Sequence, residues 1–184
     1  MGVNRGRVRI IGGCWRSRVI TFPEHSNLRP TPDRVRETLF NWLGQDLSGM
    51  SCLDLFAGSG ALGFEAASRG AVCVVMIESD SGVFQALLKN RENLEAGQVE
   101  LVQMDAFSFL DFDRRQFDVI FVDPPYRLAL LPEILPYLLR RLTKDGLVYL
   151  ETDQSWMPDE RWRVWRTGKA GKVNFQLLEL NGSG

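Results

Sequence analysis

The stretch Leu53-Asp54-Leu55-Phe56-Ala57-Gly58-Ser59-Gly60-Ala61-Leu62-Gly63 decides how this chain folds. A short apolar run holding one acid meets Gly58, Gly60 and Gly63, spaced GxGxxG, and a segment of helical length follows. Strand, tight turn and helix in that order make the first unit of a nucleotide-binding crevice. Gly58 and Gly60 would let backbone approach a ligand closely. The next apolar run ends at Glu78, 20 residues beyond Gly58, where a carboxylate can accept hydrogen bonds from ribose hydroxyls.

Outward from this unit, short apolar runs alternate with amphipathic segments. Residues 52–56, 72–77, 99–104, 117–122 and 147–150 read as strands. Residues 61–69, 81–95, a short stretch after 105, and 129–142 read as helices. Near-continuous apolar strands between helices predict a parallel sheet covered on both faces. Residues 161–167 and 172–180 follow with only a turn at 168–171 between them, which predicts an antiparallel hairpin at the sheet edge. The expected fold is a doubly wound, seven-stranded α/β sheet of the Rossmann-like kind.

Upstream, residues 7–11 and 16–22 flank Gly12-Gly13 and predict a β-hairpin. Thr31-Pro32 predicts a helix start, with Thr31 as N-cap and Pro32 at the first helical position. Val35, Leu39, Trp42 and Leu43 then share one face of a helix over 32–46.

At 184 residues, 45% apolar and 24% charged, the chain has room for one domain with a small appendage and can bury a core without disulfide staples. No apolar run nears the roughly 20 residues of a spanning helix, and the first residues lack the apolar stretch of a secretory signal. A cytoplasmic protein with no membrane contact is expected. Cys14, Cys52 and Cys73 are odd in number with no CxxC pair, so each is expected as a small buried apolar residue rather than as part of a disulfide framework or zinc site. His25 is the single histidine, which excludes sites needing several imidazoles. The chemistry should need neither metal nor imidazole.

The net charge of −1 conceals an asymmetry. Residues 1–36 carry eight Arg against Glu24 and Asp33, a balance of +6, and the other 148 residues carry 14 basic and 21 acidic side chains, a balance of −7. A basic segment on an acidic body points to a polyanion partner. Arg5, Arg7, Arg9, Arg16, Arg18 and Arg29 are the candidate nucleic-acid contacts, guanidinium being suited to bidentate phosphate contact.

A dinucleotide and S-adenosylmethionine compete for the crevice. A pyrophosphate would be poorly received beside Asp54, whereas the ammonium group of S-adenosylmethionine suits it, directly or through water. Asp105 ends the third strand, where its carboxylate can receive the adenine amino group, with the Ala106 N–H near the ring. Acids at three successive strand ends favour a ligand without phosphate. Phe56, Ala57, Gly58, Ser59 and Gly60 of the loop, with Ser79 after Glu78, complete the expected cofactor contacts.

The fourth strand ends in Asp123-Pro124-Pro125-Tyr126. Two prolines fix φ twice and cannot continue a ladder. An exocyclic amino group on a base is a poor nucleophile because its lone pair is delocalised into the ring. The Asp123 carboxylate and the Pro124 carbonyl can accept its two N–H bonds, drawing the nitrogen toward sp³. Tyr126 can stack on the base. Pro125 keeps the acceptors placed, and positioning with electrostatics supplies the rate.

FAGSG with DPPY resembles the S-adenosylmethionine-dependent amino-methyltransferases of nucleic acids. Arg9-Ile10-Ile11-Gly12-Gly13, Leu28-Arg29-Pro30-Thr31 and the run Asp33-Arg34-Val35-Arg36-Glu37-Thr38-Leu39-Phe40-Asn41 narrow the likeness. Together with residues 53–63 they closely resemble the bacterial 16S rRNA guanine-N2 methyltransferases of the RsmD type, from the hairpin to the final strand. The resemblance implies a basic hairpin arm over residues 1–28 and a methyltransferase domain over 29–184. It implies S-adenosylmethionine as cofactor and one guanine of 16S rRNA in the small ribosomal subunit or its assembly intermediate as target. It assigns the cofactor to the glycine loop, Glu78 and Asp105, and the target amine to the DPPY tetrad. A monomer is expected.

Two positions depart from the family pattern, Ser17 where Gly is more usual and Pro32 where a second Thr is common. Adenine-N6 DNA methyltransferases also carry DPPY, so guanine rests on the resemblance. Such DNA enzymes usually add a recognition domain for which this chain has no room. A non-catalytic RNA-binding protein of the same fold is the other alternative. Arg29 and Thr31 stand either as a loop charge and a cap or as contacts to the cofactor carboxylate or RNA. Arg34 and Arg36 stand between intrahelical pairing and RNA contact. The tryptophans, Trp15 among them, are expected mainly in packing.

Overall fold

A computed structural model of the chain describes residues 5–24, 28–125 and 127–182. An antiparallel hairpin of β1 (Arg5–Arg9) and β2 (Val19–Pro23) precedes α1 (Asp33–Trp42). An alternation follows of β3 (Ser51–Asp54), α2 (Ala61–Ser68), β4 (Cys73–Glu78), α3 (Ser81–Leu94), β5 (Val99–Gln103), α4 (Ala106–Phe112), β6 (Phe117–Val122) and α5 (Arg127–Leu138). The last three strands are β7 (Leu142–Thr152), β8 (Trp162–Ala170) and β9 (Val173–Leu180).

The main sheet has seven strands in the order β5-β4-β3-β6-β7-β9-β8. The first five in that order are parallel, and β9 runs antiparallel to β7 and β8. From β3 the chain winds outward to β4 and β5, then returns to place β6 on the other side of β3. The crevice at such a reversal is where doubly wound folds bind ligands, beyond the carboxyl ends of the strands.

Side chains alternate across the sheet with the period of two that a pleated strand imposes. Cys52, Val74, Met76, Val119 and Phe121 face a core shared with Leu39, Phe64 and Leu87 of the first three helices. Leu53, Val75, Ile77, Ile120 and Val122 face the other, built with Phe109 of α4 and Leu131, Ile134 and Leu138 of α5. Val8, Ile10, Ile20 and Phe22 of the hairpin are buried in the first core, so the hairpin is seated on the α1–α3 face of the sheet.

Several boundaries differ from the sequence reading. The first helix ends at Trp42, with Leu43 as C-cap, because Gly44 and Gln45 both take left-handed backbone. Its N-cap is Pro32 and no side chain caps it. Thr31 instead turns its hydroxyl to Glu151. α5 stops at Leu138 because the chain must enter β7 at Leu142, which pairs with Phe117. Of the cysteines, Cys52 is buried, Cys73 half-buried and Cys14 exposed, so the buried expectation fails for Cys14, which lies on the hairpin connection. Ser17 has φ 70, a left-handed conformation that glycine adopts at least cost. Trp162 is buried, while Trp15, Trp156 and Trp165 pack partly buried against the two cores. Among the described residues no helix is long and apolar enough to cross a membrane.

Candidate active site

β3 delivers the glycine loop. Gly60 has φ 83 and caps α2 in a left-handed conformation that lets the loop turn straight into the helix. A Cβ on Gly63 would lie 2.7 Å from the Met76 sulfur, so α2 sits on β4 only because that position has no side chain. The Gly58 N–H donates to Glu78 Oε2 at 3.0 Å, and the Asp80 N–H to Glu78 Oε1 at 2.8 Å. The carboxylate at the end of β4 is thus fixed against the loop that β3 delivers.

A cleft of about 1040 Å³ opens over these strand ends. Phe56, Gly58 and Ser59 line it from β3, Glu78 and Ser79 from β4, Asp105 and Ala106 from β5, and Asp123, Pro124 and Pro125 from β6. Arg29 and Thr31 close it from the segment before α1. Ala57, Gly60 and Asp54 are not on its wall; the first two shape the turn behind it. Tyr126 and His25 lie outside the described residues.

Asp54 is the main departure from expectation. It is 3% exposed, and its Oδ2 accepts from the Gly63 N–H at 3.1 Å, at the amino end of α2. Burial pushes its carboxyl up to about 7, against the lowering effect of the Gly63 and Phe56 N–H groups. The acid is an internal brace of loop and helix, not a wall of the cleft. Asp105 behaves oppositely. It caps α4 by accepting from the Ser108 N–H at 3.0 Å, and hydrogen bonds from Ser108 hold it below the usual carboxylate range, so it stays ionised at the cleft mouth.

The sequence reading passed over the apolar wall. Leu28, Ile77, Met104, Phe107 and Leu130 line the cleft beside the acids. Met104 and Phe107 flank the acid-alanine pair of β5, so their position at a strand end was the available signal. It also left Glu151 unassigned. That carboxylate is buried, and its Oε1 accepts from Thr31 Oγ1 and the Tyr149 hydroxyl, each at 2.9 Å, which pins the segment before α1 along the cleft.

The arginines divide. Arg5, Arg7 and Arg9 alternate with Gly6 and the buried Val8 and are exposed, forming one outward row along β1. Arg16 is exposed on the hairpin connection. Arg18 donates to the Asn93 carbonyl at 2.7 Å, tying the connection to α3. Arg36 is not on the surface; it is 1% exposed and paired with Glu65.

Glu78, Asp105, Asp123 and Asp153 give the cleft four carboxylates, against the guanidinium of Arg29. That balance suits a cationic nucleoside ligand and is hostile to a pyrophosphate. Among the described residues no cluster of His, Cys, Asp and Glu could hold a metal ion.

Comparison with known proteins agrees with this geometry. The profile of the family described as conserved hypothetical protein 95 matches residues 8–179. The chain is 43% identical to ribosomal RNA small subunit methyltransferase D of Escherichia coli K12, over 97% of this chain and 93% of that one. It is 39% identical to the protein of the same name from Haemophilus influenzae, over 95% of both. The solved Escherichia coli yhhF structure superposes with a TM-score of 0.86 at 43% identity, covering 95% of this chain and 98% of that one. An RNA methyltransferase from Salinibacter ruber, solved with S-adenosyl-L-homocysteine, shares the fold at a TM-score of 0.66 and 22% identity, over 81% of this chain and 92% of that one.

Proposed function

The chain belongs to the conserved hypothetical protein 95 family, and from that premise we propose that it transfers a methyl group from S-adenosylmethionine to the N2 amine of a guanine in 16S rRNA of the small ribosomal subunit. Relatives at 43% and 39% identity are named as methyltransferases of small-subunit ribosomal RNA, which supports the reaction and the class of substrate. Guanine N2 rests on the sequence resemblance. One observation carries the reading: the glycine loop with Glu78 and the Asp123-Pro124-Pro125 turn line a single cleft at the reversal point of the sheet.

S-adenosylmethionine, when bound, supplies an electrophilic methyl on a positive sulfonium. Its ribose hydroxyls suit Glu78, whose carboxylate the Gly58 N–H already orients. Its adenine suits Asp105 and Ala106, with Ile77 and Phe107 as apolar walls. Its positive charge suits the acidic lining. On the other side of the cleft, the Asp123 carboxylate and the Pro124 carbonyl accept the two N–H bonds of the guanine amine and aim its lone pair. The two prolines keep those acceptors still, so their reorganisation costs little in the transfer. Tyr126 stacks on the base. The guanine must be unpaired or flipped to enter.

Residues 1–28 serve as the RNA-gripping arm on the methyltransferase domain of 29–184, with the exposed row of Arg5, Arg7 and Arg9 toward phosphates. A monomer acting on ribosomal particles in the cytoplasm completes the proposal. The test is incubation of unmodified small subunits, naked 16S rRNA and DNA with labelled cofactor, followed by nucleoside analysis. N2-methylguanosine from the RNA substrates is expected; label in adenine, or in DNA alone, would overturn it.

A further inference from the structure

A second hollow, of about 490 Å³, lies between the hairpin connection, α1 and the end of α2. We propose that it takes an unpaired nucleotide of the RNA substrate, a few positions from the one that is methylated. This rests on the RNA reading above and gives that RNA a second point of attachment. The hollow is within the range of volumes that hold small ligands, about 300–1000 Å³.

Its floor is rigid. The Ile11 and Gly12 N–H groups donate to Glu65 at 3.0 and 2.8 Å. Ser68 Oγ donates to the Gly12 carbonyl at 2.6 Å, and the Cys14 N–H to the Ser68 carbonyl at 2.8 Å. Arg69 lines the floor with its side chain 7% exposed, its Nε donating to Glu65 at 3.0 Å and its guanidinium 4.7 Å from the centre of the Phe40 ring. These bonds tie the connection to α2 and shape the concavity.

Its wall is a ladder of planar polar groups. Glu37 and Asn41, four residues apart, share one face of α1, and the Gln45 side chain extends the row. Gln45 lies just past the helix end at φ 63, a conformation that glycine adopts more cheaply, and its Nε2 donates to Asn41 Oδ1 at 2.9 Å. Arg16 stands opposite, from the hairpin connection. Two amides offer donors and acceptors, Glu37 offers acceptors and Arg16 donors. A bare phosphate would meet Glu37. A nucleotide matches the set, its base edge to the amides and carboxylate, its phosphate to Arg16. α1 begins two residues after Thr31 of the cleft and carries Asn41 of the hollow roughly 12 Å along its axis from Asp33. One RNA strand can therefore reach both.

The test uses an unmodified 16S rRNA transcript in a filter-binding assay, which needs no methyl transfer and so reads the hollow even if the proposed reaction is wrong. Asn41→Ala and Gln45→Gly should each weaken transcript binding about tenfold. Gln45→Gly also releases the left-handed strain, so its melting temperature should match or exceed wild type. That separates lost contact from lost fold. Transcript affinity within twofold of wild type in both variants would overturn the proposal. A benzophenone side chain placed at residue 41 and irradiated with small subunits should form adducts on rRNA. Adducts confined to ribosomal proteins would overturn it as well.

Discussion

The Arg36 guanidinium donates to the Glu65 carboxylate at 3.0 Å where the two side chains are 1% and 0% exposed. Glu65 also accepts from Ile11, Gly12 and Arg69, and Arg36 reaches the Thr31 and Arg9 carbonyls. Hairpin, cleft segment, α1 and α2 meet at this one knot. Removing the carboxylate leaves Arg36 only the exposed Asp33 as an ionic partner, takes the Glu65 contact from the buried Arg69, and strands the Ile11 and Gly12 N–H groups. Glu65→Ala should therefore cost about 3–5 kcal/mol, a large share of the roughly 5–15 kcal/mol of a typical domain. Urea unfolding against wild type measures it. A loss under about 1 kcal/mol would mean that water replaces the carboxylate and that the knot is not what seats the hairpin.

That knot was illegible in the sequence, and the reason is physical. Charged residues at helical spacing look like a solvated face, and nothing local marks a contact between residues 29 positions apart. The glycine loop and the strands were legible because strands buried on both faces must be apolar throughout. Pro124 and Pro125 were legible because proline ends a strand wherever it falls. Thr31 and Asp54 show the limit. Residue type identified both as hydrogen-bonding groups beside the site. Which way each side chain points depends on Glu151 and on the end of α2, and both are set by tertiary packing.

Asp54 makes stability depend on pH. Its carboxyl sits at about 7 in the fold and near 3.9 in an unfolded chain. Between those values the folded state binds the extra proton. Its contribution is therefore full below about pH 4 and is lost as pH rises toward about 7, at up to roughly 1.4 kcal/mol per unit. Asp54→Asn keeps the shape and an acceptor for Gly63 but has no proton to lose. Subtracting its unfolding free energy from that of wild type, across pH 4.5 to 8, should give a difference that falls with pH and levels off above 7. A flat difference would mean that the carboxylate is better solvated than its 3% exposure suggests.

The outward row on β1 predicts a salt effect. Arg7 and Arg9 are exposed, and Arg36 reaches Arg9 through its backbone carbonyl, so truncating both side chains spares the Arg36 contact. If each guanidinium meets one phosphate, Arg7→Ala with Arg9→Ala should lower the slope of log affinity against log salt by about 1 to 2 for 16S rRNA. Affinity for S-adenosylmethionine, followed by calorimetry, should stay at the wild-type value. An unchanged salt slope would move the phosphate contacts off the hairpin.

The role proposed for Asp123 predicts that substituting it separates binding from chemistry. It lines the β6 side of the cleft, across from the loop and Glu78, which are assigned to the cofactor. Its carboxylate is asked to hold an amine N–H as the nitrogen gains positive character, an interaction that strengthens toward the transition state and so belongs in kcat. Asp123→Asn is the sharper substitution. It retains an oxygen acceptor but removes the charge and can present an NH₂ group to the incoming amine, one donor against another. Removing a single preorganised charge-stabilising group typically costs about 10²–10³ in kcat, and a fall of at least that size is expected here. The dissociation constant for S-adenosylmethionine should remain within a few-fold. Single-turnover methylation of small subunits, set beside calorimetry with the cofactor, separates the two quantities. Should kcat survive while cofactor binding collapses, Asp123 would belong to the cofactor side of the cleft and the amine would have to be held elsewhere.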